Sequence, residues 1–193
     1  MPSPARVRAE SSLLVAIDVQ PAFLCKLTLT DAELLLRRIC WLSGLAQWLA
    51  IPLIVTAEDI PREGSIHPHL AACLHPETPI HNKMVFDLSA EPAILAAVRA
   101  AHRTTAVLVG LETDVCIAQS ALGLLEQGYQ VAVVADATGA PGTAHGFGLE
   151  RIGQAGGAIV SVKGLAYEWL HTVERANRFW HERGQLDVPE GIR

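Results

Sequence analysis

Unbroken aliphatic runs alternate along this chain with longer stretches in which apolar positions recur every three to four residues. The runs are LLVAID (13–18), PLIVTA (52–57), TAVLVG (105–110), VAVVAD (131–136) and AIVSV (158–162). A run that is apolar throughout, rather than on alternate positions, predicts a strand buried on both faces. Between the runs lie predicted helices over 31–50, 90–102, 114–127, 144–155 and 165–181. In the first, Leu35, Leu42, Leu45 and Leu49 share a face and Asp31 is the expected N-cap. Gly128 is the expected stop of the third. Residues 58–79, rich in Pro, Gly and His, fit neither period. Strands alternating with helices predict an α/β fold with a mainly parallel, doubly wound sheet. No repeat or linker interrupts it, so residues 1–193 are expected to form a single domain.

In such sheets ligands bind beyond the carboxyl ends of the strands. That rule selects Asp18 and the residues after it, residues 56–59, residues 110–116, and Asp136. Asp136 itself is expected to tie its strand to the following turn. Residues 39–57 carry no charge over 19 positions, but Pro52 divides them into a helix and a strand rather than one membrane span. The early run 13–17 is too short for the core of a secretion signal.

Hydrophobic residues make up 50% of the chain and charged residues 18%, which excludes disorder. A net charge of −5 without a basic stretch, and only 5% aromatic residues, argue against a nucleic-acid surface. No GxGxxG or GxxxxGK[ST] occurs, so no nucleotide cofactor is signalled. The four cysteines, Cys25, Cys40, Cys73 and Cys116, form no CxxC pair and show no metal-ligand spacing with His. Free thiols in a reducing, cytoplasmic setting are expected. Low charge and four tryptophans (Trp41, Trp48, Trp169, Trp180) suggest a homo-oligomer.

Cys116 follows a strand and opens a helix, where unpaired N–H groups stabilise a thiolate; a small buried cysteine is the other reading. Asp18 ends the first strand, as a turn cap or as a general base. Lys83, in HNKMVF, can bring a cation to the same cleft or stand on the surface.

Together, AIDVQ around Asp18, NKMVF around Lys83 and GLETDVC ending at Cys116 resemble the Asp–Lys–Cys triad of the isochorismatase-like cysteine hydrolases. That superfamily includes nicotinamidases, N-carbamoylsarcosine amidase and isochorismatase. The block 105–138 carries the most specific part of the likeness, which extends from about residue 13 to 170. The resemblance implies a three-layer α/β/α sandwich and hydrolysis of a small amide or related C–N bond through a Cys116 thioester. Asp18 would take the thiol proton, Lys83 would stabilise the charged cluster, and the backbone N–H groups of Glu112 and Cys116 would form an oxyanion hole. It also implies a non-proline cis peptide at Leu111–Glu112. Phe23 and Phe86 are candidates for the pocket wall or the core, and Gln20 for a brace of the Asp18 loop or the surface. Glu112 either reads a donor on the substrate or contributes only its N–H. Beside the thiol, a helix terminus and a lysine predict that Cys116 is alkylated fastest of the four cysteines near neutral pH. Isochorismate-type vinyl-ether hydrolysis and a non-catalytic binding role are the alternatives on the same scaffold. Nicotinamidases hold a metal with an Asp and several His; here Asp59 matches the Asp but Pro61 replaces the next His, so neither metal nor cofactor is expected.

Overall fold

The computed structural model describes residues 6–183 and 188–192. Six strands form one parallel sheet: β1 (Ser12–Ile17), β2 (Leu53–Glu58), β3 (Ile80–Lys83), β4 (Thr105–Leu111), β5 (Gln130–Gly139) and β6 (Ala158–Val160), in the order β3-β2-β1-β4-β5-β6. The helices are α1 (Pro21–Leu24), α2 (Leu29–Trp48), α3 (Ile60–Glu63), α4 (Pro68–Cys73), α5 (Pro92–Ala100), α6 (Ala118–Glu126), α7 (Ala144–Gln154), α8 (Val162–Leu170) and α9 (Val173–Arg183). Successive strand residues point to opposite faces, so Leu14, Ala16, Val107 and Val109 pack under α2, α8 and α9. Leu13, Val15, Ile17 and Leu108 pack under α5, α6 and α7. Burial on both faces is why these strands are aliphatic at every position.

The five expected strands and the two-sided layering match this arrangement; several local details differ. β3 was not legible, because its sequence IHNK is polar. It is an edge strand, paired on one side to β2, and only Lys83 is buried. α2 begins at Thr28, whose Oγ1 accepts the N–H of Asp31 at 3.2 Å, so Thr28 rather than Asp31 is the cap. The expected last helix is two helices, broken at His171 with φ 66°, and the residues expected to end β6 instead start α8 under a Ser161 cap. The tryptophans find partners within the chain. Trp169 is buried with its indole N–H donated to Ser12 Oγ at 3.1 Å, and Trp41 and Trp48 pack with Phe179, with Trp180 against Trp41, between α2 and α9. Among the described residues no helix is long and apolar enough to cross a membrane.

β1 lies tight against β4 at Gly110, where φ is 119° and a Cβ would stand 1.9 Å from the Ile17 carbonyl oxygen. No side chain fits there without parting two central strands. Gly110→Ala is therefore expected to destabilise the protein by about 3 kcal/mol or more, read as a lower urea midpoint; a midpoint unchanged from the parent would contradict the close approach.

Candidate active site

Connections leave the central sheet in opposite directions at β1 and β4, which opens a crevice at their carboxyl ends. Four strands deliver side chains to it. Asp18 follows β1 in the left-handed region, φ 51°, a conformation its short polar side chain tolerates. Its N–H reaches the Thr56 carbonyl at 3.1 Å, and Thr56 Oγ1 donates to Asp18 Oδ1 at 2.9 Å. Glu58 ends β2 and Lys83 ends β3. After β4 comes the Leu111–Glu112 cis peptide, then a wide π-type turn, Thr113–Ile117, in which the Ile117 N–H donates to the Glu112 carbonyl at 3.0 Å. The expected helix at 114 is thus a π turn first and α6 only from Ala118. Such turns recur at functional sites, and this one presents Cys116 to the crevice.

Lys83 is the centre of the group. Its Nζ lies 2.7 Å from Asp18 Oδ2, 3.2 Å from Glu58 Oε2, 3.5 Å from Cys116 Sγ and 3.1 Å from the Val85 carbonyl. Lys83 and Asp18 are both 0% exposed. Cys116 Sγ donates to Glu58 Oε2 at 3.2 Å, and reactive atoms of Asp18, Glu58 and Cys116 all fall within 4.8 Å of one another. The structure therefore brings Asp18, Lys83 and Cys116 together.

Burial pushes the Asp18 carboxyl up from its ordinary value, against the opposing pull of Lys83. Burial by itself would lower the Lys83 ammonium, but Asp18, Cys116 and Glu58 outweigh it and raise it. Burial, then the Asp18 charge, pushes the Cys116 thiol well up; Lys83 only partly offsets them. Lys83 thus lies between the Asp18 and Glu58 carboxyl groups and a thiol whose surroundings disfavour its thiolate form. These influences run against the sequence expectation of rapid alkylation. The helix terminus and lysine legible in the sequence are opposed by desolvation and by carboxylates that converge only in the fold.

A small cleft of about 140 Å³ opens over Cys116, lined by Phe23, Lys26, Glu58, Phe86, Leu111, Glu112 and Val115. Phe86 is an exposed wall residue, while Phe23 both lines the cleft and packs against the core. The Glu112 side chain is ion-paired with Lys26, whose ammonium lies 4.8 Å from the Phe23 ring centroid. Lys26 also borders a larger neighbouring cleft of about 490 Å³ that includes Arg38, Asp136 and His145. Gln20 is fully buried behind the cleft, not in its lining. Its amide donates to the Glu58 and Gly64 carbonyls at 2.8 and 2.7 Å and accepts the Glu58 N–H at 2.8 Å. Asp136, expected to tie its strand to the following turn, instead accepts the Val162 N–H at 2.7 Å and so fastens β5 to the start of α8. His145, expected at the surface, is half-buried with Nδ1 2.9 Å from Thr113 Oγ1. Glu58 lies in the strand-end stretch 56–59 but has no motif of its own; its local signal is the same as that of Asp18, an acid closing an apolar strand.

The Isochorismatase domain matches residues 12–164. The chain belongs to the isochorismatase family. Isochorismatase family protein 2A of Dictyostelium discoideum is 29% identical over 86% of each chain. A secreted isochorismatase effector of Phytophthora sojae is 31% identical over 84% of this chain and 79% of its own. Among solved structures, the YcaC protein of Escherichia coli, described as an octameric hydrolase of unknown specificity, superposes with a TM-score of 0.79 at 22% identity, covering 94% of this chain and 87% of that one. The chain is thus an isochorismatase-family hydrolase with the three-layer α/β fold expected of it.

The metal ligands of the family's nicotinamidases have no counterpart set here. Among the described residues, candidate ligand atoms converge in two groups of three, Asp18–Glu58–Cys116 and Cys40–His69–Cys73, and neither contains Asp59 or His67. His67 Nδ1 instead accepts the His69 N–H at 3.1 Å. Within the first group the Lys83 ammonium already supplies a cation. These residues do not fit a nicotinamidase-type metal.

The raised thiol has a kinetic signature in this isochorismatase-family site. At pH 7, iodoacetamide should label Cys116 more slowly than the exposed Cys25. The Cys116 rate should still be climbing at pH 9, since below its pKa the thiolate fraction rises about tenfold per pH unit. Asp18→Asn removes a charge that disfavours the thiolate, so labelling should accelerate at a given pH. Site-resolved peptide mass spectrometry reads both, and a Cys116 rate at pH 7 equal to that of Cys25 would contradict the assignment.

Proposed function

We propose that this protein is a cysteine hydrolase that cleaves a small amide or related C–N bond through a Cys116 thioester. The reading rests on one observation above all: the Lys83 ammonium touches both a buried carboxylate, at 2.7 Å, and the Cys116 thiol that lines the cleft, at 3.5 Å. A binding protein gains nothing from burying this combination of charges.

Asp18 is the general base. Its raised pKa makes it a better proton acceptor than an ordinary carboxylate. As substrate displaces water, the Cys116 proton passes to Asp18, sulfur bonds to the carbonyl carbon, and the charge forming on oxygen is met by the N–H groups of Glu112 and Cys116. Each such donor contributes roughly 3–4 kcal/mol in comparable sites. The C–N bond then breaks, Asp18 returns the proton to the leaving nitrogen, and ammonia or an amine departs. Water, deprotonated by the same carboxylate, adds to the thioester carbonyl; the C–S bond breaks, the acid leaves, and Asp18 returns the proton to the Cys116 sulfur. Lys83 keeps Asp18 in position and its charge balances the cluster throughout. Gln20 is a positioning residue, holding Glu58 by its backbone. Phe23 and Phe86 clamp the acyl group, and the Glu112–Lys26 pair borders the entrance.

A cleft of about 140 Å³ limits the reacting portion to a few heavy atoms, while the adjoining cleft beyond Lys26 can take a larger, polar remainder of a small-molecule substrate. Four free thiols suit a reducing, cytoplasmic setting. The octameric state described for the Escherichia coli relative supports self-association here as well.

Two measurements test this reading. On a panel of small primary amides and carbamoyl compounds, Asp18→Asn and Cys116→Ser should each lower kcat by about 10²–10⁴-fold or more. Intact-protein mass spectrometry during turnover should show an acyl adduct on Cys116; hydrolysis of a vinyl ether without any adduct would support the alternative chemistry. Sedimentation equilibrium at micromolar concentration should give a mass that is a multiple of 20.7 kDa, and the monomer mass would refute self-association.

A further inference from the structure

Away from the cleft, α4 lies against α2. Gln47 of α2 fastens the two by donating its amide to the Cys73 carbonyl at 2.9 Å. His69 and Cys73 are four residues apart on α4, the spacing that puts two side chains on one helical face. Opposite them on α2 is the buried Cys40, whose thiol points at the His69 carbonyl at 3.8 Å. The two sulfurs and a ring nitrogen of His69 all lie within 4.8 Å of one another, graded from buried Cys40 through half-buried Cys73 to exposed His69. They border a cavity of about 340 Å³ that also includes Arg37 and Trp41.

We propose that Cys40, His69 and Cys73 bind a thiophilic divalent cation, zinc by preference, in a three-ligand site open to solvent. Sulfur at about 2.3 Å and imidazole nitrogen at about 2.0–2.1 Å from zinc place tetrahedral ligand atoms about 3.5–3.8 Å apart. From separations within 4.8 Å, a contraction of at most about 1.3 Å, within side-chain rotation, closes the site. Two thiols lose their protons on binding and the imidazole binds neutral, so the metal and its ligands have no net charge. The nearby Arg37 therefore does not oppose it. Water from the cavity takes the fourth position. No oxidant is needed. A Cys40–Cys73 disulfide would need one, and would leave the presence of His69 at the same point unexplained. The proposal departs from the sequence expectation of no metal. Its cysteines are separated by the whole of β2, and no ligand spacing is visible until α2 and α4 pack.

Cobalt(II) tests it on the full reduced chain, because thiolate ligation gives a charge-transfer band in the near ultraviolet and tetrahedral ligation gives intense bands in the red. The expected result is one cobalt per chain with both signatures, displaced by zinc. The signal should be retained in Cys116→Ser, lost in Cys73→Ser, and weakened in affinity about tenfold or more in His69→Ala. Circular dichroism checks that each variant folds. Should Cys73→Ser fail to fold, the exposed His69→Ala decides, and unchanged cobalt affinity there would overturn the proposal. Absence of bands at stoichiometric cobalt would also overturn it, as would bands that vanish in Cys116→Ser but persist in Cys73→Ser. Failure of the reduced protein to take up cobalt, with a Cys40–Cys73 disulfide forming in air, would replace the metal site with a redox pair.

Discussion

The buried ammonium of Lys83 is the constraint on which the rest of the site depends. Withdrawing an ion of this size from water costs several kcal/mol unless charge and hydrogen bonds are returned to it. Here they come from Asp18, Glu58 and the Val85 carbonyl, supplied by the ends of β1 and β2 and by the turn beyond β3. None of the three strands can slip by one residue without turning its acid or its lysine to the opposite face. The charge cluster and the register of β3, β2 and β1 are therefore one requirement, met by pairing Glu58 with Lys83 and Ile17 with Thr56.

Polar residues around the cluster serve that register. Thr56 holds the Asp18 carboxylate while accepting the Asp18 N–H on its own carbonyl. Gln20 locks the backbone on both sides of Glu58. The Lys83 carbonyl takes the Asp59 N–H, where the chain turns out of β2. On the other side of the crevice, Gly110 allows β4 to lie against Ile17. The helix α7 meets the Cys116 turn through Gly148, where a Cβ would approach the Thr113 carbonyl at 2.6 Å. Rigid elements thus set the thiol's position from both sides, which is what near-attack geometry requires.

Such an environment favours a neutral thiol at rest. Carboxylates and low solvation raise it, and the ammonium only partly compensates. In the mechanism proposed above, such a thiol would act as a latent nucleophile that gives up its proton to Asp18 once a carbonyl is in place. This protects a thiol that is already 5% exposed from indiscriminate alkylation and oxidation.

The division between sequence and fold follows from range. Strands β1, β2, β4 and β5 and the main helices were legible because a parallel sheet buried on both faces needs aliphatic residues in unbroken runs. Asp18 and Cys116 were legible because chemistry at strand ends interrupts those runs, and the motif likeness added Lys83. Each of these signals lies within a few residues along the chain. Tertiary structure alone decided that IHNK is a strand, since an edge strand borrows its order from a neighbour. It decided that Gln20 faces the backbone, that Glu58 joins the cluster, and that burial and carboxylates around Cys116 disfavour its thiolate. It also brought Cys40 to His69, 29 residues away in sequence. Burial and electrostatics depend on groups distant in the chain and close in space, and no local pattern records that distance.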